Sequence, residues 1–384
     1  MPTYREVAAK SIHELVEYSK ESTMSDILLD VIEMLLSAER EKFLKETPAV
    51  GNKANGHYER FLKSLTGKIS LRVPRDRMGQ FHPLLLEVIK TDDERMSKLA
   101  CSLYAKGVSQ RDIGDIISEI YNANASASWV SQMAADTLSA RNAWHAKQIN
   151  DEYLAVYLDA LFVPIRRDSV EKEAVYVALG LKLDGRREVL GLYTLPTESA
   201  TGWAMMFDDM KKRGLKKVSL FIADGLTGLP EVVANAFPAS CFQSCVVHKM
   251  RNVLLHVRSK DKAEVAAGLK KVFDLDRVDD STEEAIVRLD AFIEKTKKIY
   301  PHIANQFPEE LKPRLFTYLD YPPTLRRMIY TTNWIERLNK HIRKVIKNKN
   351  SFPSEVSAMN LIFLAIMNFE TRVYCYPIYA VASL

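Results

Sequence analysis

Hydrophobic positions change period several times along the chain, and the changes divide it. Over residues 1–47 apolar residues recur at helical spacing, with Ile27, Leu28, Val31, Ile32, Leu35 and Leu36 on one stripe, which predicts helices. From 48 to 90 the pattern shortens to alternating runs punctuated by Gly51, Gly56, Pro48, Pro74 and Pro83. There Tyr58–Leu65 and Lys68–Val73 flank Thr66-Gly67 and predict a hairpin. Helical spacing returns over 91–145 in three pieces. Asp92–Ala105 ends at Gly107, Ser109–Tyr121 opens with Ser109 and Asp112 in capping-box positions, and a third helix capped by Ser126 or Ser128 runs to about Ser139. Helix, turn, helix, short link, helix is the layout of a helix-turn-helix DNA reader. Ser126–Thr137, in the place of a recognition helix, contains no Lys or Arg; Trp129, Ser131 and Gln132 are its candidates for touching DNA, and the charge that meets phosphate would have to come from elsewhere.

The texture becomes α/β from residue 150. Strands are predicted at Tyr153–Val163, Val175–Leu181 and Glu188–Tyr193, the last two joined through Asp184-Gly185. Then come a helix over Ser199–Arg213, a buried strand Val218–Ala223, a short helix Leu229–Ala236 and a strand Cys241–Val247. Hairpin-linked strands followed by α/β crossovers predict a mixed sheet covered by helices. Residues 249–325 form a charge-mixed helical block, and Thr331–Ile346 reads as a helix with Ile335, Leu338, Ile342 and Val345 on its apolar stripe. The expected division is therefore 1–47 helices, 48–90 a small β unit, 91–145 the helix-turn-helix-like unit, 150–248 and 326–372 one α/β domain in two parts, and 249–325 an insertion within it.

Composition narrows the classes. The 384 residues are 47% hydrophobic, enough for real cores. Apolar stretches such as Leu361–Met367 are too short to span a bilayer, so no membrane partner is expected. The start, MPTYREVAAK, lacks the apolar core of a secretory signal. Four cysteines in this length are no disulfide framework, which favours a reducing, cytoplasmic setting. The net charge of +5 is unevenly spread. Residues 312–350 carry ten Lys/Arg against Asp320 and Glu336, and residues 51–79 carry seven against Glu59 and Asp76. Two basic stretches in a balanced chain fit a polyanion footprint; the blander reading is two solvated faces.

Three acids stand out against this background. Asp159 interrupts a strand of apolar residues, where an unpartnered carboxylate costs several kcal/mol. Asp224 follows a buried strand and precedes a Gly-containing loop, the edge of a sheet where ligands bind, although it would also serve as a helix N-cap. Glu336 lies on a helix with Arg337, Lys340, Arg343, Lys344 and Lys347, and an ordinary pair with Lys340 is its simplest role. Together the three offer hard oxygen ligands to Mg²⁺, two ions of which promote in-line phosphoryl displacement. A zinc site built on Cys241, Cys245, His248 and His256 is disfavoured, because four strand residues separate the cysteines by about 13 Å. His248 is free to meet a phosphate or move a proton.

Asp224, Gly228, Ala236-Phe237-Pro238, Ser240, Gln243, Cys245 and His248 closely resemble the signature of Mutator-type transposases, which include many bacterial insertion-sequence enzymes. Thr331–Asn339 resembles the family's segment around its last acid, and Leu71–Arg77 a familiar N-terminal stretch. The resemblance implies a ribonuclease-H-like mixed sheet with an all-helical insertion, preceded by helical and small β DNA-binding units. It implies a DDE triad of Asp159, Asp224 and Glu336 holding two Mg²⁺ ions, with Mn²⁺ as a substitute, and His248 assisting. Arg337, Lys340, Arg343, Lys347 and Gln132 would contact DNA. The implied partners are the terminal inverted repeats of a mobile element and target DNA, the implied assembly a homodimer or larger, and the implied location a bacterial cytoplasm at the nucleoid. A DNA-binding regulator without activity, or a Mg²⁺-dependent nuclease of ribonuclease-H type, is the alternative.

Overall fold

A computed structural model describes residues 24–47, 51–64, 67–106, 108, 110–121, 127–166, 169–194, 200–226, 228–277, 281–347, 349 and 351–382. The chain divides into two compact units, Met1–Tyr104 with Val108–Asp136, and Ala105–Gly107 with Thr137–Leu384.

The first unit begins with α1 (Met24–Glu46), then the antiparallel strands β1 (Ala54–Ser64) and β2 (Gly67–Asp76). Helix α1 packs on β2, and Leu36, Leu71, Val73 and Leu86 close a small core between them. Three helices follow: α2 (Leu84–Ala105), α3 (Gln110–Tyr121) and α4 (Ala127–Ala146). Two of these differ from expectation. Helix α2 starts at Leu84 rather than Asp92, since the acids Asp92, Asp93 and Glu94 lie inside it and Pro83 supplies the stop. Helix α4 continues to Ala146, and the boundary between the units falls within it. The predicted helices before Met24, Thr66 of the hairpin turn, and the caps Ser109 and Ser126 lie outside the described residues.

The second unit is built on a mixed sheet. Its strands are β3 (Glu152–Arg166), β4 (Val170–Leu181), β5 (Arg187–Thr194), β6 (Lys217–Ala223) and β7 (Cys241–Ser244), in the spatial order β5-β4-β3-β6-β7. Strand β4 runs antiparallel to β3 and β5, while β6 is parallel to β3 and to β7. Helices α5 (Ala200–Lys212) and α6 (Leu229–Ala236) make the crossovers. Trp203, Met206, Phe207 and Met210 of α5 and Val232 and Val233 of α6 bury one face of the sheet against Val156, Leu158, Phe221 and Ala223. Residues alternate sides along a strand, so Tyr157, Asp159 and Leu161 of β3 turn to the other face.

That second face receives the end of the chain. After β7 come α7 (Val246–Leu255), α8 (Lys262–Val272), α9 (Thr282–Thr296), a 3₁₀ turn Pro301–Gln306, α10 (Lys312–Phe316) and α11 (Pro323–Ile329). Helices α12 (Asn333–Ile346) and α13 (Glu355–Phe369) then pack on β3. The expected stripe of Ile335, Leu338, Ile342 and Val345 is the buried side of α12. Gln243 rivets the helical block to β7: fully buried, it accepts from Tyr318 N and donates to Leu315 O. The last helix, α14 (Tyr379–Ala382), follows an apolar stretch that docks on the β4–β5 turn. Ile378 N donates to Gly185 O, and a Cβ on Gly185, whose φ is +81°, would lie 2.6 Å from Ile378 O, so glycine is required there. Arg187 donates to Tyr376 O and stacks between Trp334 and Tyr374. Among the described residues no helix is long and apolar enough to cross a membrane.

Candidate active site

The sheet register brings the first two acids together. The last parallel rung between β3 and β6 pairs Leu158 with Ala223, so Asp159 and Asp224 each lie one residue beyond it on adjacent strands. Their parity sends both away from the α5–α6 face and towards α12. Asp224 does not cap α6; that position is held by Gly228. Gly225, at φ +58°, lets the chain turn directly after Asp224.

The third acid arrives on α12. Glu336 is not paired with Lys340. Its Oε1 lies 3.3 Å from His248 Nε2 and accepts from Thr332 Oγ1 at 3.2 Å, and its Oε2 lies 3.6 Å from Arg251 Nη1. His248 Nδ1 lies 3.0 Å from Asp224 Oδ2, so one imidazole bridges two of the predicted acids. Asp159 is bound separately: its Oδ2 accepts from Asn339 Nδ2 at 2.8 Å and its Oδ1 from Ala160 N at 2.8 Å. Asn339 sits one turn after Glu336 and is fully buried, and among the described residues its Oδ1 has no hydrogen-bond partner.

Two of the predicted positions change meaning in the fold. Strand β7 ends at Ser244, not Val247, and α7 begins at Val246 with Cys245 as its N-cap. Cys245 and His248 therefore share the first turn of a helix. The buried Cys245 Sγ accepts from Thr332 N at 3.4 Å, and Thr332 Oγ1, the donor to Glu336, lies 3.4 Å from the same sulfur. Cys241 is exposed at the start of β7, and His256 meets His302 edge-on, so neither joins the group. Cys245 Sγ, a His248 nitrogen and a Glu336 oxygen lie within 4.8 Å of one another.

The electrostatics follow from this crowding. Burial raises the Asp159 carboxyl against the opposing hydrogen bond from Asn339. Burial also raises Asp224, with the negative charges of Asp159 and Glu336 adding to the effect and His248 opposing it. The hydrogen bond to Cys245 pushes His248 up to about 9, helped by Asp224 and Glu336 and opposed by burial. For Cys245, burial alone would raise the thiol, but hydrogen bonds from His248 and Thr332 outweigh it and lower it. Carboxylates that resist ionisation beside one another are relieved by a dication, and their oxygen donors suit Mg²⁺.

Around this centre lie a cavity and a basic face. A cavity of 480 Å³ adjoins Asp224, lined by Leu226, Phe242, Lys249, Asn252 and Arg314 among others. Burial lowers Lys249, with Asp224 opposing. Arg337, Lys340 and Arg343 on α12 and Lys347 at its C-cap are exposed and line a shallow groove with His341 and Lys344. Not all of the basic stretch is available for a polyanion. Lys312 is buried and paired with Asp290 and Glu309, and Arg326 is buried and donates to the carbonyls of Leu319 and Tyr321. The Gln132 side chain lies outside the described residues. Thr332 and Asn339 escaped sequence reasoning; only their proximity to Glu336 in the chain marked them.

The profile of the family described as "Transposase, Mutator family" matches residues 3–373. The transposase for insertion sequence element IS1201 of Lactobacillus helveticus is 34% identical over 349 residues, covering 89% of this chain and 93% of that one. The transposase for insertion sequence element IS905 of Lactococcus lactis is 31% identical over 346 residues, 90% of this chain and 86% of its own. The transposase for insertion sequence element IS256 in transposon Tn4001 of Staphylococcus aureus is 27% identical, covering 94% of both chains.

Proposed function

The chain belongs to the Mutator family of transposases, and from that premise we propose that it binds the terminal inverted repeats of a mobile element and cuts and joins DNA through Mg²⁺ held by Asp159, Asp224 and Glu336. The observation that carries this reading is the register of β3 and β6, which sets two aspartates side by side on the face to which α12 brings Glu336. The strand order β5-β4-β3-β6-β7, with β4 alone reversed, supports a ribonuclease-H-like arrangement, interrupted between β7 and α12 by the helical block.

When bound, Mg²⁺ supplies activation of the attacking oxygen and neutralisation of charge on the leaving oxygen. The chain's own residues do the rest. Asn339 and the Ala160 N–H hold the Asp159 carboxylate in one orientation. His248, between Asp224 and Glu336, holds a proton where the carboxylates crowd. Arg337, Lys340, Arg343 and Lys347 neutralise phosphates along α12, so the DNA backbone is positioned without base contacts. Water first cuts the element's end, and the released 3′-hydroxyl then attacks target DNA; both steps are in-line displacements that depend on positioning. The helices and the hairpin of residues 24–146, with Gln132 in α4, serve recognition of the repeats. Joining two ends requires a dimer or larger assembly.

The test incubates the purified chain with a labelled inverted-repeat end, a target plasmid and Mg²⁺. Joined products are expected. Nicks without joining would make it a nuclease, and a gel shift without cleavage a binding regulator.

A further inference from the structure

The three acids do not account for Cys245. A thiol that is 1% exposed, on the first turn of α7 beside His248 and within reach of Glu336, adds nothing to an all-oxygen Mg²⁺ site, because Mg²⁺ demands hard oxygen ligands. The set of one sulfur, one imidazole nitrogen and one carboxylate oxygen is instead the donor chemistry of Zn²⁺ and its relatives.

The geometry is already close to what such an ion needs. The three donor atoms lie within 4.8 Å of one another, and ligands around a tetrahedral zinc ion are separated by roughly 3.3–3.8 Å, so small side-chain rotations close the difference. Cys245 and His248 are fixed to one helical turn, and the N-terminus of α7 favours a thiolate at its cap. Thr332, fully buried, donates its N–H to Cys245 Sγ and sets its hydroxyl oxygen 3.4 Å from the same sulfur, which orients the sulfur in the way that surrounding hydrogen bonds commonly orient metal-bound groups. Asp224 Oδ2, 3.0 Å from His248 Nδ1, or a water stands ready for the fourth position. This is not the zinc site that the sequence spacing disfavours. Cys241 and His256 take no part, and the third ligand comes from α12.

We propose that Cys245, His248 and Glu336 form a thiophilic cation site that takes Zn²⁺, and that filling it withdraws Glu336 from the Mg²⁺ ligands and arrests DNA cleavage. Glu336 drawn to Cys245 and His248 is turned from Asp159 and Asp224, so the two sites compete for it. The first half of this inference stands on the donor set alone; the second rests on the DDE reading given above.

The experiment titrates Co²⁺, a spectroscopic stand-in for Zn²⁺, into the full-length chain without Mg²⁺, and follows the thiolate-to-cobalt charge-transfer absorption. One equivalent should saturate the band, and Zn²⁺ should abolish it by displacement. The band should persist in Cys241→Ser and vanish in Cys245→Ser. Glu336→Gln should keep the band and weaken binding about tenfold or more, which decides the matter should Cys245→Ser fail to fold by circular dichroism. Absence of the band in the wild type, its survival in folded Cys245→Ser, or unchanged affinity in Glu336→Gln would overturn the site. In parallel, one equivalent of Zn²⁺ should suppress Mg²⁺-dependent cleavage of a labelled end about tenfold or more, and excess Mg²⁺ should restore it. Undiminished cleavage with Zn²⁺ bound would overturn the arrest. A band with no cleavage in any Mg²⁺ condition would uphold the cation site while overturning the DDE reading.

Discussion

Asp76 and the pair Asp159–Asp224 are all held by the fold, yet in opposite senses. Asp76, only 3% exposed, closes the turn after β2: it accepts from Asn52 Nδ2, Gln80 N and Phe81 N. Burial would raise its carboxyl, but these hydrogen bonds outweigh it and hold it below the ordinary value. Asp159 and Asp224 are raised: burial is not fully offset at either, and at Asp224 the charges of Asp159 and Glu336 add to it. The first environment satisfies a charge and the second stores an unmet need for one. A carboxylate that serves structure is satisfied by donors; on the proposed reading Asp224, with Asp159 and Glu336 for neighbours, is the one a cation would satisfy.

Substitutions sharpen this contrast. The largest effect is expected at the crowded acids. Asp159→Asn, Asp224→Asn or Glu336→Gln should each lower strand cleavage by about 10³-fold or more, leave gel-shift affinity for the repeats largely intact, and leave the urea midpoint unchanged or higher, since repulsion is relieved. Full cleavage by any one of them removes it from the ligand set.

Glu370 offers a control, a raised carboxyl far in sequence from the acids. It accepts from Val189 N, and burial pushes it up to about 7, with Glu188 adding to the effect. Its folded value lies above the unfolded one, so the stability it contributes is complete below about pH 4.5 and is lost as pH rises through about 7. Glu370→Gln should therefore match the wild type near pH 4.5 and gain about 3 kcal/mol at pH 8, read from urea unfolding. Equal stability at both pH values would break the parallel with the site.

Asp76→Ala should cost about 2 kcal/mol, the loss expected when buried backbone donors are left without an acceptor. A gain in stability there would place Asp76 with the crowded acids. The smallest expected effect is positional. Asn339→Leu keeps the volume but frees the Asp159 carboxylate, and should lower cleavage about tenfold while raising the Mg²⁺ concentration for half-maximal rate. An unchanged Mg²⁺ dependence would deny Asn339 that role.

Much of the second unit was legible because its strands carry long apolar runs and its turns carry Asp-Gly and Gly signals. The α12 stripe was equally plain, and so were the three acids as oddities in their surroundings. The run Cys241–Val247 misled, because a short apolar stretch has no period that separates strand from helix, and the last three residues turn into α7. The acids at 92–94 misled in the same way, as a helix-start signal sitting inside α2. Thr332 and Asn339 stood inside the family-like segment without a role, because their importance lies in what the fold puts opposite them. The apolar end of the chain reads as featureless, yet Arg187 gives it a docking place that no local pattern announces.

The alignment of β3 with β6 also bears on how relatives of this chain can diverge. Loops and whole helices between the two strands can lengthen without moving either aspartate. A single residue inserted between Tyr153 and Leu158 would instead rotate Asp159 into the layer occupied by Val156 and Trp203. Such a copy would be one residue longer, with its charge and every recognisable motif kept, and on the proposed DDE reading it would be silent.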